Sequence, residues 1–203
     1  MTTTEQLRDP RTIAGYTYGT DDSARSPLTM RELDKLKQAV DLTDEDARYL
    51  RMAGEVLSDH AAEMVDTWRE LIARHPHLSI YSARPDGTPN PDYGQATHPR
   101  FARWIIDVCT RPYDQDFLDY QHEIGLRHTR QRKNKTDDVE SADHIPLRYV
   151  LAFAAPVIVS TREFLQRGGH SADDVERMHA AWTKAVILHV TLWSRAYLGE
   201  PDW

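Results

Sequence analysis

Apolar residues recur along most of this chain at the three-to-four-residue spacing of amphipathic helices. The spacing predicts helices over about 29–40, 43–57, 64–72, 101–108, 116–128, 145–166 and 171–198. The second and third of these could form one continuous helix. No segment shows the alternation of a β-strand. The pattern therefore predicts an all-α fold with seven to nine helices.

Polar segments rich in glycine and proline separate these helices. Residues 1–26 predict an extended N-terminal arm, and residues 27–203 predict one helical domain. The sequence RPDGTPN at 84–90 predicts a turn, and residues 129–144 predict a loop. We expect Pro99 to break or restart the helix in which it lies, because proline lacks a backbone N–H.

Composition narrows the range of functions. The 203 residues carry a formal net charge of −7, which disfavours nucleic-acid binding. The single cysteine, Cys109, excludes an intrachain disulfide and fits a reducing compartment. No apolar run is long enough to cross a membrane, which takes about 20 residues, and the N-terminus lacks a signal-peptide pattern. We therefore expect a cytoplasmic protein without nucleic-acid or membrane partners.

The most informative segment is the predicted helix that ends at His128. Phe117, Tyr120, Ile124 and His128 share one face of that helix, within an arc of roughly 80°. An imidazole on an apolar face needs a partner for its ring nitrogens. That partner could be a backbone carbonyl in an ordinary core, or an iron in a haem protein.

A basic cluster follows His128 in an otherwise acidic chain. It comprises Arg127, Arg130, Arg132, Lys133 and Lys135. The cluster could be a solvated loop, a nucleic-acid patch or a counter-charge for carboxylates. The acidity of the rest of the chain favours a local carboxylate partner, such as a haem propionate.

Other candidate chemistry has less support. The sequence has no His-Glu-x-x-His zinc motif and no Cys-x-x-Cys-His haem attachment site. Cys109 lies near an apolar helix face, which favours a buried thiol. His189 lies in a wide apolar stripe of the last predicted helix, which favours a position in the core.

Taken together, several short strings resemble one family. They are GYTYG (15–19), AGEVL (53–57), DTW (66–68), PDGTPN (85–90), LDYQ-EIGLRH (118–128), KN-TD-VES (133–141), RY--AF--P (148–156) and AW-KA (181–185). In this order they are similar to the protoglobins, single-domain relatives of the globin-coupled sensors. The resemblance extends from about residue 13 to residue 203.

The resemblance implies an expanded globin fold with an extra N-terminal helix, an arm over the cofactor, and haem b as that cofactor. His128 matches the proximal histidine that binds iron. The implied cofactor contacts are Trp68, Phe101, Phe153 and Val157, together with Ile124, Arg69 and the arm residues Tyr16 and Tyr18.

Arg69 is the main departure from the family pattern, which usually has tyrosine after the distal tryptophan. A guanidinium donates hydrogen bonds and stays charged. Inside the pocket it would favour anionic ligands; pointing outward it would pair with a propionate or with solvent. We expect the outward pose, because burying an unpaired charge is costly. Ala14 and Pro99 are smaller departures.

The implied function is reversible binding of oxygen, carbon monoxide or nitric oxide, for sensing, storage or scavenging. Two alternatives remain: a haem enzyme acting on nitric oxide, nitrite, peroxide or carbene donors, and a haem-free partner-binding module. We expect no fused output domain. We also expect a homodimer through the last two helices, where Trp182, Leu192 and Trp193 lie near exposed arcs.

Overall fold

A computed structural model describes residue 7 and residues 9–198 of the chain. The described residues form a 3-10 turn at Pro10–Thr12, seven α-helices and no β-strand. The helices are α1 (Met30–Ala39), α2 (Asp44–Ala73), α3 (Pro76–Ser79), α4 (Pro91–Thr110), α5 (Gln115–Arg127), α6 (Leu147–Gln166) and α7 (Ala172–Ser194). The all-α prediction is confirmed, and the segments 43–57 and 64–72 belong to the single long helix α2. None of the described helices is long and apolar enough to span a bilayer.

Local capping explains where the helices begin. The Thr29 and Thr43 side chains each accept a hydrogen bond from the backbone N–H three residues later, and the acidic residue there accepts one in return. These are capping boxes, which satisfy N–H groups that the first turn leaves free. Asp114 and Ser171 cap α5 and α7 in a similar way.

The core lies where the long helices meet. Helix α2 packs against α4, α6 and α7, while α7 also packs against α5 and α6. The side chains of Trp68, Trp104 and Trp182 are buried at the centre, and the rings of Trp68 and Trp182 both contact that of Trp104. This arrangement fixes α5 and α6 on opposite sides of an interior space.

The expected break at Pro99 is wrong. Helix α4 continues through this residue from Pro91 to Thr110. Proline removes one hydrogen bond, the one to the carbonyl of Gln95, but that residue is exposed and its carbonyl can bond to water. Packing of the second half of α4 against α2 outweighs the loss.

The N-terminal arm is described at residue 7 and from residue 9 onward, with the rest of it outside the described residues, and its described part lies along α4 and α5. The Arg100 and Arg127 side chains donate to the carbonyls of Ala14 and Gly15, both at 2.7 Å. The arm in turn covers Glu123 on α5, which accepts a hydrogen bond from the Ala24 backbone N–H at 3.2 Å. A polar face of α5 is therefore buried under the arm.

The last two helices differ from expectation in one respect. Trp182, Leu192 and Trp193 are buried within the chain, so the expectation that they lie near exposed arcs is wrong. The apolar stripe on α7 is wide because α2, α4, α5 and α6 all pack against that helix.

Candidate functional site

A large cavity of about 610 Å³, partly open to solvent, lies between α2, α4, α5, α6 and α7, and residues from the segments 78–90 and 132–137 complete its wall. Its apolar wall includes Ile72, Phe101, Trp104, Ile124, Val150, Phe153, Val157, Val186, Val190 and Trp193. Cofactor pockets commonly have volumes of about 300–1,000 Å³ and mostly apolar walls with a few polar groups. The size and lining of this cavity therefore suit a large, mostly apolar molecule.

His128 lies in the cavity wall, directly after the last residue of α5. Its Nδ1 lies 2.8 Å from the carbonyl oxygen of Ile124, one turn earlier. Because a carbonyl only accepts, Nδ1 carries the proton and donates. Burial lowers the pKa of the imidazole, which favours the neutral ring. In that tautomer Nε2 holds a lone pair, as a metal-binding histidine requires.

Helix α7 fixes the orientation of this imidazole. The Trp193 indole stacks on the His128 ring, with centroids 5.7 Å apart and planes inclined by 18°. The Trp193 Nε1 donates to the Gln121 side chain at 2.8 Å. Gly125 permits the close approach of the two helices, because a Cβ there would lie 2.8 Å from the Trp193 carbonyl oxygen. The Ile124 carbonyl and the Trp193 ring thus orient the His128 imidazole without help from a ligand.

Five of the sequence-predicted contacts lie in the cavity wall: Arg69, Phe101, Ile124, Phe153 and Val157. Trp68 lies one layer behind. Its ring packs against Phe101 with centroids 5.2 Å apart, and its Nε1 donates to Ser160 Oγ at 2.8 Å. It is 1% exposed and is not among the residues that line the cavity.

Arg69 lines the cavity but extends toward α4. Its guanidinium donates to the Gly94 carbonyl at 2.8 Å and to Thr97 Oγ1 at 2.6 Å. Gly94 leaves room for this contact, since a Cβ there would lie 3.2 Å from the guanidinium. Burial lowers the pKa of Arg69. The side chain therefore points neither at the ligand position nor outward as expected, but is bonded to acceptors of α4 in the cavity wall.

The arm tyrosines form an aromatic cluster beside the cavity. The Tyr16 and Tyr18 rings both contact Tyr120, which itself lines the cavity. The Tyr16 hydroxyl donates to buried Asp107 at 2.7 Å. Burial is the main reason that the pKa of Tyr16 is raised. Both arm tyrosines thus support the wall from outside and are not lining residues themselves.

Most of the basic cluster has carboxylate partners within the chain. Arg127 and Arg132 both pair with buried Glu123, at 2.8 and 2.7 Å, and Arg130 pairs with Asp143 at 3.2 Å. Arg100, which was not singled out from the sequence, also lines the cavity and pairs with Asp137 at 2.6 Å. These pairs enclose one polar side of the cavity.

His189 lies in the core, as its apolar stripe suggests. Its Nδ1 accepts a hydrogen bond from the Trp104 Nε1 at 3.0 Å, and its ring contacts Phe117 and Trp193. Burial lowers its pKa to about 3. This neutral histidine orients Trp104, whose ring forms part of the cavity wall.

Some residues of the site could not be found from the sequence alone. Tyr93 and Trp193 both line the cavity. Their own helices show them only as apolar positions, which any helical core would contain. Tyr120 also lines the cavity, and its position on the same face of α5 as His128 indicates this from the sequence.

Comparison with known proteins agrees with this architecture. The family model for Protoglobin matches residues 29–203. The fold is similar to the globin domain of a Geobacter sulfurreducens globin-coupled sensor, with a TM-score of 0.64 and 19% sequence identity over 85% of this chain and 99% of that one. No curated protein matches the chain significantly. The resemblance stated from the sequence motifs is confirmed.

Proposed function

Because this chain belongs to the protoglobin family, we propose that it holds haem b in the interior cavity and binds diatomic gases there. The observation that carries the proposal is the state of His128. Its Nδ1 is committed to a backbone carbonyl, so the lone pair on Nε2 is available at the wall of a cavity of about 610 Å³. When bound, haem supplies an iron centre with one coordination position open to a gas.

The residues of the cavity fit this group. The apolar wall would exclude water from the porphyrin faces, and Phe101, Phe153 and Val157 would contact the ring. His128 would hold the iron through its Nε2. The Ile124 carbonyl would raise the basicity of that ligand by accepting the Nδ1 proton, as the outer partner of a metal-bound histidine commonly does.

The gases in question are oxygen, carbon monoxide and nitric oxide, and the role is sensing, storage or scavenging. The apolar wall suits small uncharged ligands, because they lose little hydration free energy when they leave water.

Arg69 favours a second candidate function, the binding or turnover of an anionic ligand such as nitrite. No described carboxylate lies within 4 Å of its guanidinium, although the side chain lines the cavity. Positive charge at a dry site stabilises an anion. Sustained turnover of nitrite, nitric oxide or peroxide would favour this enzymatic role, whereas slow stoichiometric reaction would favour gas binding.

We also propose that the chain forms a homodimer through the outer faces of α6 and α7. Leu151 and Val159 on α6 and Ile187 on α7 are large apolar side chains exposed on these helices. Sedimentation equilibrium of the wild type beside Val159→Glu would test the surface. The charged variant should be monomeric, and equal masses would remove this face from consideration.

The deciding experiment for haem binding is an absorption spectrum of the reduced protein, with and without carbon monoxide, for the wild type and His128→Ala. We expect a histidine-ligated spectrum in the wild type, and weakened haem retention or loss of that spectrum in the variant. An unchanged spectrum would reject His128 as the ligand. A protein that shows no Soret band after haem addition would instead be a haem-free partner-binding module.

A further inference from the structure

The charge of the cavity wall is opposite to that of the whole chain. The chain has a formal net charge of −7. Its charged cavity-lining side chains, however, are the cations Arg69, Arg100, Arg127, Arg132 and Lys133 and a single carboxylate, Asp137. Such a wall favours an occupant that carries negative charge.

Among residue 7 and residues 9–198, two of these cations have no carboxylate as an ion-pair partner. Arg100, Arg127 and Arg132 pair with Asp137 or Glu123. Among the described residues, no carboxylate lies within 4 Å of the charged groups of Arg69 or Lys133. The guanidinium of Arg69 is engaged by a carbonyl and a hydroxyl of α4. Lys133 is the more deeply buried of the two.

Lys133 is a buried ammonium, and the groups it contacts among the described residues are neutral, while Asp143 acts on it only at longer range. Lys133 is 4% exposed, and its Nζ lies 2.6 Å from Ser141 Oγ and 3.4 Å from Asn134 Oδ1. The same nitrogen lies 4.5 Å from the centroid of the Tyr93 ring, which also lines the cavity. Burial lowers the pKa of Lys133 to about 8. A buried cation is costly unless an anion offsets its desolvation.

The loop that follows α5 holds this lysine in place. Asn134 adopts a left-handed conformation with φ of 71° and donates to the Ser141 carbonyl at 2.6 Å. The Ser141 hydroxyl donates back to Asn134 Oδ1 at 2.6 Å. Asn90, which precedes α4, donates to the carbonyl of the loop residue Glu140 at 2.7 Å. These bonds close the loop around Lys133, so its ammonium is positioned before a ligand arrives.

We propose that Lys133 binds a carboxylate of the molecule in the cavity, which for haem is a propionate. This proposal rests on the haem-binding function proposed above. It assigns the propionate contact to the buried lysine of the basic cluster, while the neighbouring arginines hold Glu123 and Asp137. The carboxylate completes the coordination of an ammonium whose protein partners are a hydroxyl, an amide oxygen and an aromatic ring.

The test compares haem with haem dimethyl ester, in which both propionates are neutral. Each porphyrin is titrated into the cofactor-free protein and its affinity measured by absorbance. Lys133→Met should weaken haem binding about tenfold, as one charge-assisted hydrogen bond predicts, and leave ester binding unchanged. Lys135→Met is the matched control, since Lys135 is exposed and does not line the cavity. It should change neither affinity.

Each outcome separates the inference from the proposed function. Equal weakening of both porphyrins by Lys133→Met would assign the lysine to loop packing and overturn the propionate contact. No change for either porphyrin would also overturn it. The wild type alone gives a second measurement that does not depend on the variant folding: it should prefer haem to the ester at least about tenfold, and no preference refutes the contact. A wild type that binds neither porphyrin would refute haem binding itself.

Discussion

His189 allows a quantitative prediction for stability in acid. The ring is fully buried, and its pKa is about 3 in the folded protein against an ordinary value of 6.5. Below about pH 6.5, His189 is therefore protonated in the unfolded chain but remains neutral in the folded chain. The contribution of His189 to stability is present in full above that pH and is lost as the pH falls toward 3.

The size of the effect at pH 5 follows from these two values. Each pH unit below the pKa of the unfolded state lowers the free energy of unfolding by about 1.4 kcal/mol, so at pH 5 it is lowered by about 2 kcal/mol. The result depends little on the lower pKa, because pH 5 lies well above 3. His189→Gln removes the titrating group while retaining an oxygen that can accept from the Trp104 indole.

The free energy of unfolding by denaturant is measured for the wild type and the variant at pH 7, 6 and 5. All samples either contain haem or lack it. Between pH 7 and pH 5, the free energy of unfolding should fall by about 2 kcal/mol more for the wild type than for the variant. His128 and the other histidines are common to both proteins and cancel. His75→Gln, at an exposed position, is the control and should follow the wild type. Parallel curves for wild type and His189→Gln would refute a buried, neutral His189.

Two substitutions test the walls of the site. Arg69→Tyr should slow oxygen release by up to about tenfold relative to Arg69→Phe, since only tyrosine adds a neutral donor; equal rates by flash photolysis would show that this position does not reach the ligand. Gly125→Ala should destabilise the fold by about 2 kcal/mol, because the new Cβ would lie 2.8 Å from the Trp193 carbonyl oxygen. A melting temperature within 1–2 °C of the wild type's, as a change of roughly 0.5 kcal/mol would give, would contradict that contact.

Features that depend on local sequence could be predicted. The periodicity of α2 predicts a helix on both sides of residue 60, and the structure joins them. The apolar arc of α5 places His128 beside Ile124, and the structure brings both to the same cavity. Such predictions succeed because the helical repeat of apolar positions can be recognised within a few turns of sequence.

Features that depend on distant partners could not be predicted. Glu123 lies on a polar face of α5, yet it is buried because the arm, about a hundred residues earlier, supplies a backbone donor. Arg69 finds its acceptors on α4, whose approach depends on the absence of a side chain at Gly94. The apolar stripe on α7 predicts that Trp193 is buried, but it does not predict which part of the molecule covers this residue.

The contact at Gly125 has a mechanical consequence. At Gly125 the backbone of α5 lies directly against the Trp193 backbone and the Ala196 side chain, which leaves no room for even one methyl group. A displacement of His128 along its own helix axis is therefore resisted by the last helix and transmitted to it, and Ile187 stands exposed on that helix. We therefore expect a movement of the imidazole to be passed on to the outer surface of α7.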